Sequence, residues 1–263
     1  MTPYFAILRA RFAAVLQYRA AAFAGFGTQL AFGLVLIYVY EAFYRSSRGP
    51  QPMALGEVVT YIWLGQALLS LLPWDTEPDV RALIRDGGVA YELLRPVDLY
   101  ALWYVRTVAW RLARAALRST PLVIVAMVFF QMRPPASLAA GLAWAAATAG
   151  AVALACAMTS LYHVSMLWTV AGEGVTTISA TLVLFLSGMM IPLPLLPAWV
   201  QRITAALPFR GLVDLPFRLY IGSIPTERLA GILLEQAGWT LAFVALGRWL
   251  LNRGLRRVAV QGG

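Results

Sequence analysis

Lysine is missing altogether, and all 21 basic residues among the 263 are arginine. This reads as GC-rich coding rather than chemistry, although a guanidinium also grips lipid phosphates better than an ammonium does. Histidine and cysteine occur once each, as His163 and Cys156. A single histidine excludes clustered metal ligands and histidine-based triads. A single cysteine excludes an internal disulfide, so it says nothing about the redox compartment. No glycine-rich phosphate loop of the Walker type is present, so ATP hydrolysis by that route falls outside this chain. Charge is scarce too, at 13% of residues, where soluble domains carry about a quarter. The opening Met-Thr-Pro-Tyr-Phe lacks a charged n-region followed by a short apolar run and a cleavage site, so no cleaved signal is expected.

What fills the chain instead is apolar. Hydrophobic residues make up 60%, and the mean hydropathy is +0.72. Several runs approach the ~20 residues that cross a bilayer core, and no strand-like alternation points to a barrel, so helices must satisfy the backbone. The length suits one membrane domain, 1–263, with no room for a soluble catalytic one. The net charge of +9 is assigned to anionic headgroups of the lipid bilayer, not to nucleic acid.

Along the chain, residues 1–20 mix apolar positions with Arg9, Arg11 and Arg19 and predict an interfacial helix with snorkelling arginines. Spans follow over 21–44, 58–72, 119–132, 138–161, 175–191 and 229–251. The second reaches useful length if it begins near Leu55, and the third borrows turns from the helix before it. A short connection after the fourth holds His163, read as packed or interfacial, and Glu173. Glu173 is read as complementing the N-terminus of the fifth span rather than as a carboxylate in a proton path. Residues 188–224 carry Pro192, Pro194, Pro197, Pro208 and Pro216, which forbid one continuous helix. They are too apolar for a solvated loop, so short broken helices re-entering the outer membrane face are expected.

Six spans put both termini on one side. With that side inside, the inner segments hold fourteen arginines and the outer loops seven, which places both termini in the cytosol.

The conspicuous polar block is 74–118. It carries seven arginines from Arg81 to Arg118, with Asp75, Glu77, Asp79, Asp86, Glu92 and Asp98 among them. Arg81 and Arg85 are four apart, and Val80, Leu83 and Ile84 share the opposite, membrane-turned side. Asp86-Gly-Gly stops that helix, and Arg95-Pro96 ends the next piece. Arg106, Arg114 and Arg118 line one stripe of the long helix that follows. For any single arginine a solvated or headgroup-facing role is the simpler reading. The block as a whole, a charged excursion of this length with turn breakers at set points, reads as a docking surface.

This arrangement resembles the ABC-2 type ABC-transporter permeases. The run Ile84-Arg-Asp-Gly-Gly-Val-Ala-Tyr-Glu-Leu-Leu-Arg-Pro-Val97 resembles the signature of a bacterial subgroup whose permease is encoded apart from its ATPase. The stretch Ser187-Gly-Met-Met-Ile-Pro-Leu-Pro-Leu-Leu-Pro197, with Leu207-Pro208 after it, resembles that subgroup's outer hairpin. The resemblance implies an all-α membrane protein of six transmembrane helices with a cytosolic coupling-helix segment over 74–118 and a re-entrant outer hairpin over 188–224. It implies two copies of a cytosolic ABC ATPase, carrying ATP and magnesium, and a second permease, identical or related. The ATPase contact falls on Asp79, Arg81, Arg85, Asp86, Tyr91, Glu92 and Arg95. A translocation path between two permeases would be lined by Gln66 and Ser70 of the second span and Thr176, Thr177, Ser179 and Thr181 of the fifth. The resemblance implies no catalytic residue and no metal or cofactor on this chain. The location it implies is the bacterial plasma membrane. Two alternatives stand beside this reading: a lipid-modifying membrane enzyme whose arginines hold phosphates, and a structural or regulatory membrane protein.

Overall fold

The computed structural model describes residues 3–15, 17, 19–168 and 173–261. Every described element is helical, with no strand among the described residues. The elements are α1 (Pro3–Val15), α2 (Arg19–Ser46), α3 (Leu55–Leu68), α4 (Pro78–Arg85), α5 (Val89–Leu93) and α6 (Leu99–Phe129). Then follow α7 (Leu138–Met166), α8 (Glu173–Leu186), α9 (Ala198–Ala205), α10 (Asp214–Ile221) and α11 (Leu229–Gln261). The side chains of Arg19, Glu173, Arg256 and Arg257 lie outside the described residues, so the reading of Glu173 is left there.

Four helices are long and apolar enough to cross a bilayer: Phe23–Ser46, Leu99–Phe129, Leu138–Met166 and Thr226–Leu255. Two shorter apolar helices, Leu55–Leu71 and Gly174–Leu186, fall below that length. This is a multi-pass helical membrane protein. Side chains at helix starts satisfy exposed backbone donors: Asp98 accepts from Ala101 N at 2.7 Å, Ser137 from Ala140 N at 3.0 Å, and Glu57 from Ala54 N at 2.7 Å.

One expectation is corrected, and it concerns His163. The helix from which the third span was expected to borrow turns is continuous with it, because α6 runs unbroken from Leu99 to Phe129 with Pro121 inside it. Its arginine-bearing half is packed against α1, α3 and α7, so tertiary contact supplies the polar partners that a solvated segment would take from water. His163 is not in a connection: α7 continues to Met166, and His163 is fully buried. The expected proline-rich broken helices do appear, as α9, α10 and the 3-10 turns Leu193–Leu195 and Pro208–Leu212.

The main core gathers Val58, Trp63 and Leu64 of α3, Leu122 of α6, Leu154 of α7 and Phe217 of α10. Small residues on α7 let other helices come close. Ala143 and Ala147 pack on Leu215, Leu219 and Ile232, and Gln236 of α11 occupies the space a Cβ at Gly150 would need. The Gln236 amide donates to Ala147 O at 2.9 Å and Gly211 O at 2.8 Å, stitching the proline-rich segment to α7 and α11.

A second core, at the other end, joins Val80 of α4, Leu99, Tyr100 and Trp103 of α6, Val164 of α7 and Leu251 of α11. Ile232 and Leu251 are separated by about 28 Å along α11 at helical rise, close to the ~30 Å of a bilayer core. The α10 layer and the α4 layer therefore sit at opposite ends of the helices, about a bilayer core apart.

Gly188 adopts φ +89° where α8 turns into the proline-rich segment, and a Cβ there would lie 2.5 Å from the Tyr61 hydroxyl oxygen. Gly188→Ala should destabilise the protein by at least about 1 kcal/mol, since both the backbone region and the space are refused to a side chain. Thermal unfolding in detergent checks this; an unchanged midpoint would overturn the account.

Candidate functional site

The site begins with one arginine. Arg111 of α6 is fully buried, and its guanidinium reaches the end of α3. Nη1 donates to Ser70 O at 3.3 Å and to Leu72 O, while Nη2 donates to Asp75 O at 2.9 Å and to Thr159 Oγ1 at 2.6 Å. Helix ends expose carbonyls with no partner of their own, so this guanidinium caps α3 and its 3-10 extension and joins them to α7. The chain then turns through Asp75, whose carboxylate is held by Arg114 at 2.7 Å and lies 3.5 Å from Arg111.

Glu77 starts α4, with Pro78 at its first position and its own Oε2 accepting from Val80 N at 2.7 Å. Its backbone N–H donates to His163 Nε2 at 3.1 Å, which fixes α4 against α7. Burial raises the Glu77 carboxyl above its ordinary 4.5, while the Val80 N–H and Arg11 pull it back. Arg11 of α1 pairs with Asp79 and lies 3.7 Å from Glu77, and Tyr4 accepts from Asp98 N at 3.2 Å. The N-terminal helix is thus pinned across α4 and the start of α6.

Past the turn, where Gly87 takes φ +72°, α5 is anchored in the same way. Glu92 is 4% exposed, 2.6 Å from Arg106 Nη1, and accepts from Trp103 Nε1 at 2.9 Å. Of the residues expected at the docking contact, Glu92 has its carboxylate turned inward, because α6 presents a cation and an indole N–H to it.

Around this base the other candidates point outward. Asp79, Arg81, Arg85, Asp86 and Arg95 are exposed, as is Tyr91 at 77%. Thr76, Pro78, Arg81, Ala82, Arg85 and Asp86 line an open groove of about 530 Å³ along α4. At the end of α5, a few residues further along the chain, Leu93 and Leu94 are exposed, Leu94 at 82%. A charged groove flanked by bare apolar side chains has the make-up of a protein-binding surface. Leu93 and Leu94 escaped sequence reasoning because they look like any apolar pair in a membrane protein. Arg111 carries no periodic signal. Glu77-Pro78 carries a local signal that could have marked the start of α4, since an acceptor before a proline begins a helix.

The expected path residues are not brought together within the chain. Gln66 and Ser70 are buried inside it, whereas Thr177 and Thr181 of α8 are exposed and Thr176 and Ser179 are half-buried. Among the described residues no three His, Cys, Asp or Glu side chains converge as metal ligands would.

Comparison with known proteins then gives one result. Residues 30–262 match the family model described as "ABC-2 family transporter protein". No curated protein and no solved structure matches.

Removing Glu92 alone leaves Arg106 buried and uncompensated, so Glu92→Ala should cost about 3–5 kcal/mol. The double change Glu92→Leu with Arg106→Met should recover most of that; a double variant as unstable as the single would sink the account. Glu77 has a raised folded pKa, so the protein binds this proton more tightly than the unfolded chain. Its favourable contribution is full below 4.5 and is lost as pH rises through the folded pKa. Wild-type stability relative to Glu77→Gln should therefore fall from pH 4.5 upward; a pH-independent difference would contradict it.

Proposed function

The chain belongs to the ABC-2 transporter family, and from that premise we propose that it is the membrane-spanning permease subunit of an ABC exporter. A separate cytosolic ATPase seats on the α4–α5 surface. Two ATPase copies serve two permeases, the second identical to this chain or related to it, and ATP and magnesium are held by the ATPase. In this reading α3 with its 3-10 extension and α8 complete six crossings, both termini are cytosolic, and the membrane is a bacterial plasma membrane. The exposed Thr177 and Thr181 of α8 belong to a face that a second permease would cover.

The observation that carries the proposal is an exposed edge mounted on a rigid base. Arg81, Arg85, Asp86, Tyr91 and Leu94 stand out from a segment that Glu92–Arg106, Glu77–His163 and Arg111 bind to α6 and α7. A partner closing on ATP would push α4, and buried polar links of this kind pass a displacement on instead of absorbing it. Neither α6 nor α7 can stay behind when α4 moves.

The permease should carry an ABC ATPase through purification in mild detergent. Arg81→Glu with Arg85→Glu reverses charge along the groove and should strip the ATPase, while the permease itself stays folded because both side chains are exposed. Leu94→Asp should do the same through the apolar flank. ATPase retained by both variants would overturn the docking surface, and no ATPase with the wild type would overturn the transport reading.

A further inference from the structure

At the end opposite α4, the fold forms a half-open cavity that docking does not use. It measures about 480 Å³ and lies between α10, the Thr226–Arg228 turn and the start of α11. Arg210, Arg218 and Arg228 line it together with Leu215, Ile224 and Ile232. That volume is within the ~300–1,000 Å³ of small-molecule sites.

The three guanidinium groups differ in what they have left to give. Arg210 is neutralised by Glu235 through two bonds, Nε to Oε1 at 2.8 Å and Nη2 to Oε2 at 2.5 Å. Arg218 leans on Asp214 through Nη1 at 3.4 Å, and its buried Nε has no hydrogen-bond partner. The Arg228 guanidinium is exposed and makes no hydrogen bond or ion pair among the described residues. Two planar forks with unused donors therefore line one cavity, which is the arrangement that suits a tetrahedral oxyanion.

The apolar residues among the arginines narrow the ligand. A free, fully hydrated anion gains nothing from Leu215, Ile224 and Ile232. A phosphate carried on an acylated glycerol does, since its esters lie against them. Leu234, next to Glu235 on α11, is 73% exposed, so the helix that forms one wall also presents an apolar side chain outward, where acyl chains would lie. Glu235, the one carboxylate among the residues lining the cavity, is taken up by Arg210, which favours a headgroup with net negative charge.

We propose that this cavity binds the phosphate of an anionic phospholipid, with Arg218 and Arg228 as its ligands. The inference stands apart from the transport reading, because lipid retention can be measured with no ATP and no ATPase present.

The test is native mass spectrometry of the full chain in mild detergent, with phosphatidylglycerol and phosphatidylcholine added in equal amounts. Wild type should retain phosphatidylglycerol preferentially. Arg228→Gln should reduce that retention about tenfold, as expected from losing one charge-assisted bond. Arg48→Gln, an exposed arginine in the loop after α2, should leave it unchanged. Arg228 has no partner to lose, so its substitution does not threaten folding; Arg218→Gln is the confirming variant. Excess inorganic phosphate should fail to displace the lipid; displacement would move the ligand from lipid to free phosphate. Equal retention by wild type and Arg228→Gln, or loss with Arg48→Gln as well, would overturn the site.

Discussion

A charge with no water around it governs the α4 end of this protein. Arg111 is wholly enclosed, and moving such an ion out of water costs several kcal/mol even after relaxation. Its four donated bonds return about 1.5–3 kcal/mol each, and its Nε finds no partner, so the net gain in stability is small. What the arrangement secures is position. The guanidinium accepts only one geometry, with the end of α3, the 72–75 turn and Thr159 of α7 all arranged around it. From that fixed turn the chain can enter α4 in only one direction.

The neighbouring links extend the same constraint. His163 takes the Glu77 N–H, Arg106 takes Glu92, and Arg11 reaches over from α1. The first two join the α4–α5 segment to a long helix and are sheltered enough that solvent screening does little to loosen them, whereas the Arg11 link ties α1 to α4 nearer the surface. A flexible 25-residue excursion would dissipate any push from a partner, and this one cannot. The exposed groove along α4 and the apolar flank at Leu93 and Leu94 are thus mounted on α6 and α7.

At the other face a different principle operates. Prolines break the chain into α9, α10 and tight turns, and the liberated backbone groups must find partners within protein. The Gln236 amide donates to one of them, Gly211 O, while Tyr220 accepts from Ala136 N through its carbonyl and Asp214 N donates to Ser187 O. The segment is consequently a folded cap and not a loop. Its arginines are held in place, with the cavity between α10 and α11 as the result.

The sequence by itself determined the class, the multi-pass helical character, the proline-broken segment and the charged excursion with its breakers at Asp86-Gly-Gly and Arg95-Pro96. Those follow from hydropathy, backbone chemistry and turn residues, which are local properties. Arg81, Arg85 and Asp86 were legible as an exposed set for the same reason, since their four-residue spacing is local. Only the tertiary structure decided that Glu92 faces inward, that Arg111 rather than Arg118 is the enclosed cation, and that His163 belongs to α7. Each depends on which distant group stands opposite: Arg106 for Glu92, the α3 carbonyls for Arg111, the Glu77 N–H for His163. A side chain's partner across 14 to 86 positions of chain leaves no trace in its own neighbourhood. Burial of charge is settled by that partner alone.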